Sequence, residues 1–352
     1  MSSIPEGIQQ GPLPPLSART SSVLLGRQDY ISVLLRLIGM ELYKIRCRAM
    51  SKVFSIISPI LIVLAFLVIS LGTIFVVNAS PASFGPGSCS KSNNAPNCSN
   101  QQPSQAQLDR AKQETLQSVS APLRLPTSFD VATGVIDFVG EILIIILTGS
   151  IVGGEYSVGT IRLMATRGPT RTQYMLGKIG AIIVCIAVAF VVLTSLGILT
   201  GLLLNLISGI VPSYAFFTMA WVGNALLYVV LCMLYMFTYA MMALFIGTLG
   251  RSTAAGIAGA LAWALVEPVV GNILKGIGFL LNNNTAGNII SAIPDYFVSN
   301  NLSALLQNQG QTIFNRSPSD LSNVHALIVV AAYMVIFIGL SWWLTTRRNI
   351  TN

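Results

Sequence analysis

The sequence predicts an all-α integral membrane protein of six transmembrane helices. A cytoplasmic N-terminal interfacial amphipathic helix precedes the first span, and a cytoplasmic helical hairpin joins the second to the third. Three observations carry that prediction. The 352 residues are 53% hydrophobic and only 9% charged, where a soluble domain carries about a quarter charged residues. Several apolar runs persist for the roughly 20 residues that a helix needs to cross a hydrocarbon layer about 30 Å thick. The Lys and Arg residues then fall unevenly on the two sides of the spans so defined.

Residues 1–27 are rich in Pro, Ser and Gly without apolar periodicity, and read as a disordered cytoplasmic tail. Across 28–52, Ile31, Leu34, Leu35, Ile38, Leu42 and Ile45 recur at three- and four-residue spacing. Arg36, Lys44 and Arg48 fall mostly off that stripe, as in a helix lying along the interface with its cations near anionic lipid. The six-span domain follows at 53–346. Its first span, 54–77, has no charge, and it starts too late and runs too long for a cleaved signal segment. Outer loop 78–131 is polar, with helix-forming composition at 105–118. It also holds Cys89 and Cys98, nine residues apart on the side expected to be oxidising, as a candidate disulfide.

The remaining spans are read at about 132–153, 179–204, 221–249, 253–281 and 325–345. The third and fourth are uncharged, and the last ends in Trp342 and Trp343, an aromatic pair suited to the membrane interface. The fifth is read as one span, with Glu267-Pro268 as the one place where its helix could break. Outer loop 282–324 mixes polar residues with Ile289, Ile290, Ile293, Tyr296, Phe297 and Leu302, which predicts short helices on the outer membrane surface. Residues 347–352 form a cytoplasmic tail.

Charge tests this topology. Of the 20 Lys and Arg residues, fourteen fall on the side of the termini: seven before span 1, four between spans 2 and 3, Arg251 between spans 4 and 5, and Arg347 and Arg348. The other side holds Lys91, Arg110, Lys112, Arg124, Lys275 and Arg316, spread over long loops. The positive-inside rule therefore puts both termini in the cytoplasm of a multi-pass plasma-membrane protein. The net charge of +8 is mainly topological, and no nucleic-acid partner is expected. Five scattered cysteines form no Cys-x-x-Cys pair. A single histidine, His325, builds no metal site, and no arrangement of Ser, Cys and His offers a nucleophile.

Three acids lie within the spans. Asp137 and Glu141 are four apart in span 2 and share one helical face; Glu267 lies near the middle of span 5. Charged groups in lipid face a bundle interior or a wet cavity. These are candidate pathway acids, lining a route for a cationic or amphipathic substrate or carrying protons. The structural alternative puts Asp137 near the outer interface and leaves Glu267 paired or protonated, with Lys275, two turns on, as the obvious in-span cation. Tyr228, Tyr235, Tyr239, Met233, Met236, Met241 and Met242 crowd span 4, where helix packing is the simpler role.

Between spans 2 and 3 the chain reads Glu155-Tyr156-Ser157-Val158-Gly159-Thr160-Ile161-Arg162, then breaks at Gly168-Pro169 and resumes at Thr170, with Gln173 placed as a capping-box partner. Gly153 and Gly154 read as the end of span 2. The result is a short cytoplasmic hairpin with apolar residues and arginines, too small to be a domain, that needs something to dock into. A glutamate, a Gly-Thr, a basic residue, a proline break and Gly177-Lys178 entering span 3 together resemble the type-2 ABC exporter permeases. Glu41-Leu42-Tyr43-Lys44 is similar to the interfacial connecting helix of that family, and Pro294-Asp295-Tyr296-Phe297 to a patch after its fifth span. Arg347-Arg348-Asn349-Ile350 is similar to its Arg-Arg-Asp ending, with Asn349 departing from the usual acid. The resemblance covers about residues 28–350.

The resemblance implies that the hairpin is a coupling helix and that Glu155, Gly159, Thr160 and Arg162 dock onto a separate ABC ATP-binding subunit. It also implies a second permease copy or paralogue, making a homo- or heterodimer around a central pathway. The chain itself has no phosphate-binding loop: its one Gly-Lys is followed by Ile179 and lacks the upstream glycine. No cofactor is therefore expected on this chain, with ATP and Mg held by the partner subunit. The alternative is a self-contained proton-coupled secondary transporter or channel working through Asp137, Glu141 and Glu267, although 54–205 and 221–345 show no internal repeat of the kind such transporters carry.

Overall fold

Long uninterrupted apolar runs fold as helices because a backbone in hydrocarbon must satisfy its own hydrogen bonds. The computed structural model describes residues 30–80, 83, 104–158, 170–207, 216–281 and 285–347, and among these it contains helices and no strands. Helix α1 (Tyr30–Cys47) precedes span 1, α2 (Ala49–Asn78). Helix α3 (Gln105–Ser120) leads into span 2, α4 (Thr127–Val158). Span 3 is α5 (Arg171–Ile207), span 4 is α6 (Met219–Gly250) and span 5 is α7 (Thr253–Leu280). Two further helices, α8 (Thr285–Ala292) and α9 (Val298–Phe314), precede span 6, α10 (Asn323–Arg347). Six of these helices are long and apolar enough to cross a membrane.

Local chemistry sets the helix ends. Ser104 and Gln107 form a reciprocal capping box at α3, and Thr170 and Gln173 do the same at span 3. Spans 4 and 5 are joined by Arg251 and Ser252 alone: Arg251 takes a left-handed conformation (φ 52°) that ends span 4, and the Ser252 hydroxyl accepts from Ala255 N to start span 5. So tight a connection needs close helices. A Cβ on Gly256 would stand 3.0 Å from Gly247 Cα and 3.1 Å from Gly149 Cα, so three backbones meet where spans 2, 4 and 5 converge.

One local expectation changes and one open point closes. Span 2 continues through Gly153 and Gly154 to Val158, because both glycines are packed inside the bundle, Gly153 against the Ser252–Thr253 backbone and Gly154 beside the Arg48 guanidinium. Span 5 runs through Pro268 unbroken; a single missing N–H is tolerated where neighbouring helices hold the segment.

Successive spans run antiparallel, so the bundle has a near end and a far end. At the near end Arg48 Nη1 donates to Ser150 O (2.7 Å) and Arg171 Nη1 to Thr346 O (2.8 Å). At the far end Lys112 Nζ donates to Val77 O and Ala79 O, and Arg316 pairs with Asp130. Span 2 is central, packing against spans 1, 3, 4 and 5. Helix α9 packs against spans 4 and 6 and buries Leu302, Leu305 and Ile313. Span 1 turns Ile56, Ile60, Leu64, Leu71 and Phe75 outward, as a helix in lipid does.

Candidate functional site

At the near end, four charged side chains from three helices close into a ring. Lys178 Nζ lies 2.6 Å from Glu155 Oε2 and 3.6 Å from Glu41 Oε2. Lys44 Nζ lies 2.7 Å from Glu41 Oε1 and 3.3 Å from Glu155 Oε1. Each carboxylate thus meets both ammonium groups, one at each oxygen, and the signs alternate around a net charge of zero. Glu41, Glu155 and Lys178 are buried; Lys44 is the member that reaches solvent.

The helices bring these groups together for identifiable reasons. On α1 the buried residues are Leu37, Glu41 and Ile45, four apart along the stripe that meets span 3. Span 3 makes room with small residues: a Cβ on Gly177 would stand 3.0 Å from Leu37 Cβ, and one on Gly180 2.7 Å from Ile38 Cδ1. Lys178 emerges between those glycines, with the Tyr174 ring 4.8 Å from its Nζ. Glu155 arrives from the last turn of span 2. Burying charges is costly, and the alternation offsets that cost only while all members stay in place. The ring is therefore a rigid joint between α1, the end of span 2 and the start of span 3, at the base of the 159–169 segment.

Of the residues expected to dock onto a partner, Glu155 belongs to this ring, while Gly159, Thr160 and Arg162 lie outside the described residues. So do Cys89 and Cys98. Glu41, Lys44 and Lys178 were visible in the sequence as charges near span ends but not as one cluster. The signal that could have found it is a pair of acids, Glu41 and Glu155, in segments otherwise dominated by cations.

The intramembrane acids divide. Asp137 and Glu141 face span 4, where Cys232 Sγ is 3.7 Å from Asp137 Oδ2 and Tyr235 donates to Glu141 Oε2 at 2.5 Å. The Tyr235 and Tyr239 rings stand 5.1 Å apart. Glu267 does not pair with Lys275, which instead approaches Asp295 at 4.0 Å. One Glu267 oxygen accepts from Val298 N (2.5 Å) and the other from Trp263 Nε1 (3.0 Å). Glu267 thereby caps the N-terminus of α9, whose own preceding residue, Phe297, offers no side-chain cap. None of the described ion pairs involves Asp137, Glu141 or Glu267. Tyr228, Tyr239, Met236, Met241 and Met242 are buried packing residues.

Among the described residues no group of three His, Cys, Asp or Glu side chains is arranged to hold a metal; His325 lies with Nε2 3.0 Å from Asp295 O. A comparison with curated proteins gives no match. The model of the ABC-2 family transporter proteins matches residues 45–350, a stretch that takes in all six apolar spans, and the chain belongs to that family, the membrane permeases of ABC transporters.

Proposed function

We propose that this chain forms the substrate pathway of an ABC exporter and is driven by a separate ATP-binding subunit that docks on the 155–169 segment. The observation that carries this reading is the ion-pair ring at the base of that segment. A free loop between two spans would absorb a push by bending. A loop whose base is locked to α1 and to span 3 through Glu155, Lys178, Glu41 and Lys44 transmits it to three helices at once. Gly159, Thr160 and Arg162 would make the docking contact and Glu155 would anchor it. The excess of Lys and Arg at the near end supports a cytoplasmic location for it. ATP and Mg would be held by the partner, and a second permease, a copy or a paralogue, would complete the pathway.

Asp137 and Glu141 are the pathway acids this reading retains. They are half-buried on span 2, beside Phe138, whose side chain turns outward. Glu267, with both oxygens engaged inside the bundle, serves the fold. The test is affinity purification of the tagged chain in mild detergent, with mass spectrometry and ATPase assay of what accompanies it. A stoichiometric ATP-binding subunit, lost in Gly159→Glu and Arg162→Glu, is the expected result. Recovery of the chain alone, with transport in liposomes driven by a proton gradient, would replace this reading with a secondary transporter working through Asp137 and Glu141.

A further inference from the structure

At the far end a cavity of about 500 Å³ opens between span 5, the 285–297 segment, α9 and the 315–322 loop. Its origin lies in one face of span 5. Gly271, Lys275 and Gly278 recur at four- and three-residue spacing on that face. The glycines allow close approach: a Cβ on Gly271 would meet Pro294 and Phe297 at 3.6 and 3.5 Å, and one on Gly278 would meet Ser291 Cβ at 2.7 Å. Lys275, the long side chain between them, props the space open. Asp295 and Asp320 line the same cavity with Asn300, Ser303 and Gln307.

The walls are fixed independently of the ionic groups. Asn308 holds the 319–321 loop, donating to Leu321 O (2.9 Å) and accepting from Ser319 N (2.8 Å). The Asp295 carbonyl accepts from Asn301 Nδ2 (2.8 Å) and lies 3.0 Å from His325 Nε2, and Asn300 Nδ2 donates to Pro294 O. The ionic groups by contrast are loosely engaged. Lys275 and Asp295 approach only to 4.0 Å with half and a third of their side chains exposed, and Asp320 has no ion-pair partner among the described residues. One ammonium and two carboxylates thus line the same polar space.

Depth narrows the ligand. Lys275 lies five residues before Leu280, the last of span 5, hence roughly 8 Å along the helix from its end. The 28 residues of span 5 match in length a bilayer with its headgroups, about 40–45 Å, and on that match Lys275 falls near the level where headgroups meet the hydrocarbon layer. The same two segments turn apolar side chains outward, Ile273 and Ile277 from span 5 and Ile289 and Ile293 from the stretch around α8, a surface suited to acyl chains.

We propose that this cavity binds a zwitterionic amine–phosphate group of the phosphoethanolamine kind, with the phosphate at Lys275 and the primary ammonium between Asp295 and Asp320. The site is independent of the docking segment, which lies at the other end of the bundle. The test uses the full-length chain, delipidated in detergent and titrated with phosphatidylethanolamine or phosphatidylglycerol under native mass spectrometry. Phosphatidylethanolamine should be retained about tenfold more strongly, the worth of one charge-assisted hydrogen-bonded pair. Asp295→Asn with Asp320→Asn should bring it down to the phosphatidylglycerol level, and Lys275→Gln should weaken it. Asp320 is exposed on a loop, so Asp320→Asn alone serves if the double variant fails to fold. Soluble glycerophosphoethanolamine separates the sources: displacement of the lipid assigns the site to a free zwitterion, persistence of the lipid to the bilayer. Equal retention of the two lipids, or full retention by Asp320→Asn and the double variant with unchanged melting, overturns the proposal.

Discussion

Lys178 Nζ stands 2.6 Å from Glu155 Oε2 with less than a tenth of either side chain exposed, so the end of span 2 and the start of span 3 cannot part without baring a charge in a poorly solvated place. Lys178→Met leaves two carboxylates facing one ammonium and should cost about 3 kcal/mol in chemical or thermal unfolding. Glu155→Gln should cost a similar amount. The double variant leaves Glu41 and Lys44 as a neutral pair, so its loss should be clearly smaller than the sum of the single losses. Additive losses in this cycle would mean that the ring is a coincidence of position and not a joint.

Glu267→Ala removes the cap of α9 and should destabilise the chain by about 1–2 kcal/mol. Glu267→Gln keeps one oxygen to accept from Val298 N but loses the second acceptor, so it should fall by less. Transport by the assembled complex should survive Glu267→Gln, because the carboxylate is engaged with backbone and indole donors. Loss of transport with unchanged melting would return Glu267 to the pathway.

Glu155 and Glu267 mark the boundary of what the sequence can disclose. The six spans were legible because lipid demands long runs without charge, a one-dimensional signal. The Thr170–Gln173 cap was legible because its partners are three residues apart. The acceptor role of Glu267 was not: its partner is a backbone N–H 31 residues away, which leaves no trace in residue type, whereas Lys275 offered a visible charge and drew the wrong pairing. Lys44 and Glu155 are 111 residues apart, and only the packing of both α1 and span 2 against span 3 makes them neighbours.

The meeting of Gly149, Gly247 and Gly256 predicts a sharp steric threshold. Gly256→Val would drive its side chain into the backbones of spans 2 and 4, which cannot yield as a flexible side chain can, and should cost about 3 kcal/mol or prevent accumulation in the membrane. Gly134→Ala is the control, since a Cβ there meets nothing within 4 Å. Folded yield in mild detergent, read by size-exclusion chromatography, should separate the two variants. Equal yields would mean that spans 4 and 5 stand farther apart than the two-residue turn implies.

Orientation decides whether the 155–169 segment can meet a cytosolic ATPase, and Cys47 reports it. This thiol is exposed at the end of α1, beside the ion-pair ring, whereas Cys232 is buried and Cys185 lies half-buried within span 3. In a chain carrying Cys185→Ala and Cys232→Ala, a membrane-impermeant maleimide should label Cys47 in inside-out vesicles and not in intact cells. Cys89 and Cys98 give the complementary reading: if they are bonded on the outer side, intact cells should show labelling at that loop only after reduction. Labelling of Cys47 in intact cells would invert the topology. It would place the Lys- and Arg-rich end outside against the positive-inside bias, and it would remove the docking segment from any nucleotide-hydrolysing partner in the cytosol.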